Sequence, residues 1–325
     1  MKLINRFFLA GLLSFNLVSI GMAQSVYPSQ PVRIIVPWPA GGGSDVVARA
    51  LSVRLNTELK QSIVIDNKPG ANGAIGTAAA ARAPADGYTL IWATADTHSM
   101  NPHVYEKLGY DSINDFVPVA LAGYFPYALV VNAGFPASNV TEFVDEAKKR
   151  PGQITFASWG VGGSAHVGME LFKQYSKFDV LHVPFTGAAP AITALLGGQV
   201  DSMIVPMSVA VSHIASGKVK VLGLASPKRF STAPNIKTFV EQGVNLEIGT
   251  WVGLMAPKGT PVGVINRLNS ATTAALTDPV FRDNLISNMN VEPASELTPL
   301  QFAKFAKDDY ERWGKVIKNA GINAK

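Results

Sequence analysis

Apolar residues along this chain fall either in short runs or at positions three or four apart. The segment Val32–Val36, apolar except at Arg33, is typical of a buried strand. Beyond it, apolar residues recur at every fourth position: Val47, Leu51, Leu55 and Leu59. That spacing predicts a helix with one buried face, so the intervening PAGGGSD predicts a strand-to-helix turn.

This turn has the composition of a ligand-binding corner. Gly41, Gly42 and Gly43 would let the backbone approach another group closely, and we expect Ser44 or Asp45 to cap the helix. The free amides of a helix start attract anions. A nucleophile elbow, a nucleotide loop, a carboxylate clamp and a plain tight turn all fit the pattern.

The same order of strand, glycine-bearing turn and helix occurs again in the middle of the chain. Residues 154–157 predict a strand and residues 158–163 a turn. The helix that follows has an apolar face that includes Val167, Leu171 and Tyr175. This is a second corner of the same kind as the first.

A third unit runs from a strand near Phe185 through Thr186-Gly187 to a helix over 188–196. A further strand, 88–93, leads into TADTH. Repeated units of this kind predict a largely parallel sheet with helices on both faces. Such sheets bind ligands at the carboxyl ends of their strands, where all these turns lie.

The N-terminus has the features of an export signal. Lys2 and Arg6 precede the apolar run 7–20, and small residues precede Gln24. We therefore expect a signal peptide over residues 1–23, cleaved after Ala23, and a mature protein in the periplasm.

Composition narrows the class further. The 325 residues include no cysteine, which excludes disulfides, a thiolate metal site and a lipid-bearing cysteine. The formal charge is +5, but only 16% of residues are charged and the longest basic run is 148–150, so nucleic acid is not an expected partner. The length suits two domains. His98 and His103 are five residues apart, without an acid at ligand spacing, so no metal site is expected.

Two enzyme classes are alternatives to a binding protein. The segment 160–165 fits G-x-G-x-x-A, but the next strand ends at Pro184 where a dinucleotide fold needs an acid. A secreted serine hydrolase is the alternative that stays open, with Ser164 as nucleophile and these partners available: His166, His182, His213 and Asp201. The elbow G-x-S-x-G would need glycine at position 166. We identify no catalytic set.

Six segments carry a family resemblance: VPWPAGGGSDVVARAL, DNKPGANGAIG, ADGYTL, FASWGVGGSAHVGMELF, HVPFTGAAPAITALLGGQVD and WVGLMAPKGTP. Together they resemble the periplasmic substrate-binding proteins of tripartite tricarboxylate transporters, the Bug receptors. The resemblance implies an α/β type II periplasmic binding-protein fold, with two lobes and a ligand cleft between them. The first lobe would comprise 24–124 and 250–325, and the second 125–249.

The resemblance also implies a small organic carboxylate as ligand, gripped by the amides of opposed corners. The ligand-binding residues it implies are Ala40, Gly41, Gly42, Ser44, Thr94, Thr97, His98, Ser158, Trp159, Gly160, Gly162, Ser164, Thr186 and Gly187. Asp45 would cap or order the helix, and His166 matches a family position that is equally open to a structural role.

Three of these residues depart from the family pattern, and they leave the ligand open. Trp159 stands where a small residue is usual, Thr186 where lysine is common, and His98 where smaller polar residues are common. Aromatic and short aliphatic carboxylates both fit. The expected partners are the membrane components of a tripartite tricarboxylate transporter or a sensor. We expect a monomer without a cofactor.

Overall fold

The structure is a computed structural model that describes residues 27–214, 217–230, 232–294 and 297–323. The predicted signal peptide, residues 1–23 with its cleavage site, lies outside these residues. No helix in the described parts of the chain combines the length and apolar character needed to cross a bilayer.

The strands, in chain order, are β1 (Val32–Val36), β2 (Ile63–Asn67), β3 (Thr89–Thr94), β4 (Phe116–Asn132), β5 (Thr155–Ser158), β6 (Leu181–Pro184), β7 (Ser202–Pro206), β8 (Val219–Leu224), β9 (Gly249–Pro257) and β10 (Glu292–Pro293). The α-helices are α1 (Gly43–Leu59), α2 (Ala74–Ala81), α3 (Asn101–Val104), α4 (Val140–Lys149), α5 (Ser164–Ser176), α6 (Ala188–Leu196), α7 (Met207–Ile214), α8 (Val262–Thr277), α9 (Pro279–Ser287) and α10 (Pro299–Ala320). Short helical turns cover Ala71–Gly73, Asp96–Met100 and Val240–Gln242.

The strands hydrogen-bond in the order β2-β1-β3-β9-β4-β7-β5-β6, and β8 and β10 also pair with β4. The predicted parallel pairing is confirmed for β1 with β2 and β3, and for β5 with β6 and β7. It is wrong at the centre, where β9 is antiparallel to β3 and β4, and β4 is antiparallel to β7. The α/β fold therefore has two parallel groups joined by antiparallel strands.

The long strand β4 links the two groups. Its residues 116–126 pair with β9, and residues 127–132 pair with β7 and β8. We call β1, β2, β3, β9 and β10 with their helices the first lobe, and β5 to β8 with theirs the second lobe. The two groups of strands thus meet at the middle of β4.

Buried apolar side chains explain why these helices form. Val47, Leu51, Leu55 and Leu59 of α1 all lie in the core, as their spacing predicts. In α5, Val167 is fully buried, whereas Tyr175 is 48% exposed, so the predicted apolar face ends before that residue. Parallel strands direct their carboxyl ends to one edge. The turns after β1 and β3 therefore share one edge of the first group, and those after β5, β6 and β7 share one edge of the second.

Candidate functional site

The first glycine corner joins β1 to α1 and exposes its backbone. Ala40, Gly41 and Gly42 are all exposed, and Gly41 has φ +81°, a left-handed conformation that favours glycine. The helix begins at Gly43 behind an extended Gly42, and no side chain caps it. Its first amides lack intrahelical partners, so this helix end can bind an anion.

The expectation that Ser44 or Asp45 caps α1 is wrong, because the helix starts before both residues and Gly42 takes the cap position. The Ser44 Oγ instead accepts a hydrogen bond from Trp92 Nε1 at 2.9 Å. This contact ties the start of α1 to β3.

Asp45 orders the first corner from behind. Its Oδ2 accepts hydrogen bonds from the Gly41 amide and from Arg49 Nε, both at 2.8 Å, and its Oδ1 accepts one from Asn67 Nδ2 at 2.8 Å. Burial raises the pKa of Asp45, but these three hydrogen bonds lower it by more, so the pKa lies below its usual value. The ionised carboxylate therefore shapes the corner, and Arg49 balances its charge.

The predicted site residues after β3 hydrogen-bond to one another. Thr94 and Thr97 are buried, and the Thr94 amide donates to Thr97 Oγ1 at 3.1 Å. Thr97 Oγ1 also lies 2.8 Å from Nδ1 of His98. These hydroxyls therefore stabilise the turn after β3, and neither side chain is exposed to a ligand at the first corner.

His98 lies in an aromatic part of the core. Its ring centroid is 5.0 Å from that of Phe116, 6.1 Å from Trp251 and 6.4 Å from Tyr110. Burial lowers the pKa of His98 to about 3, and its Nε2 is buried without a partner. A neutral ring that is 2% exposed offers no surface to a ligand in this conformation.

Asp96 connects the two lobes at the second corner. Its Oδ1 accepts the Ser164 amide at 2.9 Å, and its Oδ2 accepts the Thr250 hydroxyl at 3.3 Å. Burial raises the pKa of Asp96, and these donors act against the rise. The Ser164 Oγ lies 2.6 Å from the Tyr127 hydroxyl. The family resemblance implies that the Ser164 amide binds the ligand, but in this structure the amide donates to the carboxylate of Asp96.

The second corner is held by hydroxyl contacts of Ser158, a buried residue at the end of β5. Its Oγ donates to the Gly160 carbonyl at 2.9 Å and lies 2.7 Å from His182 Nε2. Gly160 has φ +144°, and a side chain added there would meet nothing within 4 Å. The space beside the Gly160 Cα is thus open to another molecule, whereas its amide and carbonyl are both hydrogen-bonded to Ser158 Oγ.

Two histidine rings lie behind this corner. His166 and His182 stack with their centroids 3.7 Å apart, and Phe156 stacks with His182 at 4.8 Å. His166 Nδ1 accepts the Gly162 amide at 3.0 Å, so His166 has a structural role here. Burial is the main reason that the pKa of His166 falls to about 3 and that of His182 to about 4. His182 also lowers the pKa of His166, and the charge of Lys173 lowers both.

Trp159 lies half-buried beside the second corner. Its ring meets Tyr127 edge to face at 6.2 Å between centroids. A side chain added at Gly163 would stand 2.9 Å from Trp159 Nε1 and 3.5 Å from Oδ1 of Asn72, which belongs to the first lobe. The indole therefore packs on the strand that joins the lobes, next to the point where they meet.

The third corner is adjacent to the second through β6. The Phe185 amide donates to the Ser158 carbonyl at 2.9 Å. Thr186 is exposed, and Gly187, with φ +120°, precedes α6 with nothing within 4 Å of an added side chain. Both residues lie at the same sheet edge as the second corner.

Sequence reasoning missed two residues that border the meeting point of the lobes. Asn72 lies in the turn of the PGANG segment and approaches Gly163. Ser208 lies in the first turn of α7, and its buried Oγ has no hydrogen-bond partner. No glycine-bearing turn marks Ser208, because β7 leads directly into α7 without a glycine. The signal available in the sequence is the order of strand and helix, since a helix that follows a parallel strand starts at this edge.

The described residues do not form a serine hydrolase site. The Ser164 hydroxyl pairs with Tyr127, and Asp201 accepts its hydrogen bonds at 2.8 Å from the first residue of β5. Ser158 does contact His182, but it is fully buried. Among the described residues, no three acidic or histidine side chains are grouped as metal ligands would be.

Comparisons with known proteins agree on one family. The model of the tripartite tricarboxylate transporter family receptor matches residues 47–322. The solved periplasmic binding protein BugD is 34% identical, with a TM-score of 0.81, over 92% of this chain and all of that one. Rpa4515 of R. palustris, solved with adipate, is 31% identical with a TM-score of 0.85, over 92% of this chain and 100% of its own. MatC of Rhodopseudomonas palustris, solved with bound malate, is 32% identical with a TM-score of 0.80, over 90% of this chain and 100% of its own.

Proposed function

This chain belongs to the tripartite tricarboxylate transporter receptor family, and on that premise we propose that it captures a small organic carboxylate in the periplasm between its two lobes. The observation that carries this proposal is the uncapped start of α1 behind exposed glycine backbone. A hydrogen bond to a charged group contributes about 1.5–3 kcal/mol, and the helix dipole adds roughly 0.3–2 kcal/mol. A few such bonds are enough for micromolar affinity, which needs about −8 kcal/mol.

The ligands of two similar proteins support a carboxylate for this chain as well. Rpa4515 was solved with adipate and MatC with malate, and both ligands are carboxylic acids. Aromatic acids are also candidate ligands of this chain, because the half-buried Trp159 lies next to the point where the lobes meet. The bound acid would be handed to the membrane components of a tripartite tricarboxylate transporter, or reported to a sensor.

The lobe boundaries follow from the resemblance and are part of the proposal: 24–124 with 250–325, and 125–249. One chain supplies both walls of the cleft, so we expect the receptor to act as a monomer. Mass spectrometry of the protein recovered from a periplasmic fraction tests the export step, and a first residue of Gln24 is the expected result.

Calorimetric titration with free acids and their methyl esters tests the carboxylate. Adipate, malate, benzoate and hexanoate form a suitable panel. The ester of the best acid should bind at least about tenfold more weakly, since the ester has no anion for the α1 amides. Equal affinity for acid and ester would overturn the proposal. Unchanged ester after incubation is the control for hydrolysis.

A further inference from the structure

The Ser208 hydroxyl is an unexplained polar group in the second lobe. Its Oγ is buried and has no hydrogen-bond partner. A buried hydroxyl without a partner costs free energy, and most such groups in native proteins are paired with protein or a bound molecule. Its position beside Gly43 of the first lobe makes a ligand bound between the lobes a suitable partner.

Ser208 faces the first glycine corner across the boundary between the lobes. A side chain added at Gly43 would stand 3.6 Å from Ser208 Oγ and 3.7 Å from Phe125 Cε1. Gly43 is the first residue of α1, the helix whose start lacks a cap. A methyl group at Gly43 would therefore contact both side chains, so the Ser208 hydroxyl lies beside the first residue of α1.

The hydroxyls of the second corner are already in use. Ser158 Oγ contacts the Gly160 carbonyl and His182, and Ser164 Oγ contacts Tyr127. Asp96 occupies the Ser164 amide. Of these three serines of the second lobe, Ser208 is the one with a hydroxyl available to a ligand at α1.

We propose that Ser208 is a ligand-binding residue, whose hydroxyl donates to the carboxylate held at the start of α1. This inference rests on the proposed function and adds the contact through which the second lobe recognises the ligand. One carboxylate then bridges the lobes, between α1 of the first and α7 of the second. The ligand class accordingly includes monocarboxylates, because closure needs no second anionic group.

The first test is Ser208→Ala, with Ser112→Ala as the matched control. Ser112 is a buried serine of the first lobe whose hydroxyl likewise has no partner. Ser208→Ala should weaken the acid that binds best in the panel of adipate, malate, benzoate and hexanoate by about 10- to 100-fold, the scale of one hydrogen bond to a charged group. Ser112→Ala should leave its affinity unchanged. The melting temperature without ligand should not fall in either variant.

The second test fills the space instead of removing the hydroxyl. In Gly43→Ala the added methyl meets its neighbours at ordinary contact distances, and alanine favours a helix more than glycine does. The fold should therefore be retained, while the affinity for the same acid falls at least tenfold. The control is Gly263→Ala, in the first turn of α8, where an added methyl group would meet nothing within 4 Å. This variant should bind the acid with the affinity of the wild type.

The outcomes separate this inference from the proposed function. If the wild type binds no acid of the panel, both are overturned. If the wild type binds an acid and both Ser208→Ala and Gly43→Ala bind it equally well, the Ser208 contact is overturned and the receptor function stands. If only Ser208→Ala retains full affinity, the ligand uses the α1 amides without Ser208, which also overturns the contact.

Discussion

Gly42 combines an exposed position at the start of α1 with a backbone that any residue can adopt, since its φ is −72°. A side chain added there would lie 3.4 Å from the Pro39 carbonyl, a contact that needs at most a small adjustment. The helix behind it is anchored by Val47, Leu51 and Leu55 in the core. The role of Gly42 can therefore be separated from the stability of α1.

Gly42→Val should lower carboxylate affinity at least tenfold, because the side chain occupies the approach to the α1 amides. The melting temperature should change by only a few degrees. Titration of the best acid beside a thermal melt measures both quantities. Normal binding by this variant would remove the first corner from the site.

Substitution of Trp159 tests which class of carboxylic acid the protein binds. Trp159→Ala should weaken an aromatic acid such as benzoate by about 1–3 kcal/mol, the usual effect of truncating a large side chain at a binding hot spot. The affinity for a short aliphatic acid such as succinate should fall by less. Titration of both acids against folded wild type and variant gives the comparison, and an unchanged order of affinities would mean that Trp159 only packs on Tyr127.

At the scale of elements, the stack of Phe156, His182 and His166 connects β5, β6 and α5 behind the second corner. Both histidines have pKa values well below 6.5, the unperturbed value, mainly because they are buried. His166 must stay neutral to accept the Gly162 amide. The elements around this corner therefore depend on unprotonated imidazoles.

This dependence predicts a loss of stability in acid. Between about pH 6.5 and pH 4 the unfolded chain binds protons at these histidines while the folded chain does not, so the free energy of unfolding falls as the pH falls. Chemical denaturation at several pH values measures the slope. His182→Gln, which removes one titrating ring, should reduce that slope. Since His98 shares the same behaviour, some slope should persist. A slope identical to that of the wild type would contradict the role assigned to His182.

At the scale of the whole molecule, the lobes touch at several points besides β4. Asp96 of the first lobe accepts the Ser164 amide of the second, and an added side chain at Gly162 would lie 2.4 Å from Val104 Cγ1. These contacts require the lobes to be close together. A ligand that binds groups of both lobes should also favour the arrangement in which the lobes are close together.

X-ray scattering should therefore show a smaller radius of gyration with a saturating acid than without it. In Gly162→Ala the methyl group should prevent the approach of Val104, so the liganded radius should be larger than that of the wild type and the affinity lower. Val104→Ala combined with Gly162→Ala returns space and should recover part of both effects. Identical curves for wild type and Gly162→Ala at saturation would show that this contact does not limit closure.

Local signals in the sequence predicted several elements closely. The helix predicted over 188–196 is α6, and the strands around 88–93 and 154–157 are β3 and β5, each displaced by one residue. These predictions succeeded because the spacing of apolar residues records which face each element buries. The predictions for the N-cap of α1 and for the C-terminal end of the apolar face of α5 were wrong, since both features depend on neighbours distant in sequence.

The sequence by itself determined the α/β class, the corners and the exposed glycine backbone after β1, because periodicity and glycine act within a few residues. Only the tertiary structure decided which polar groups are free. It gave the Ser164 amide to Asp96, 68 residues away along the chain, and left the Ser208 hydroxyl without a partner beside Gly43. Such pairings depend on the way β4 and β9 bring the lobes together, and hydrogen bonds act over about 3 Å in space, whatever the separation along the chain.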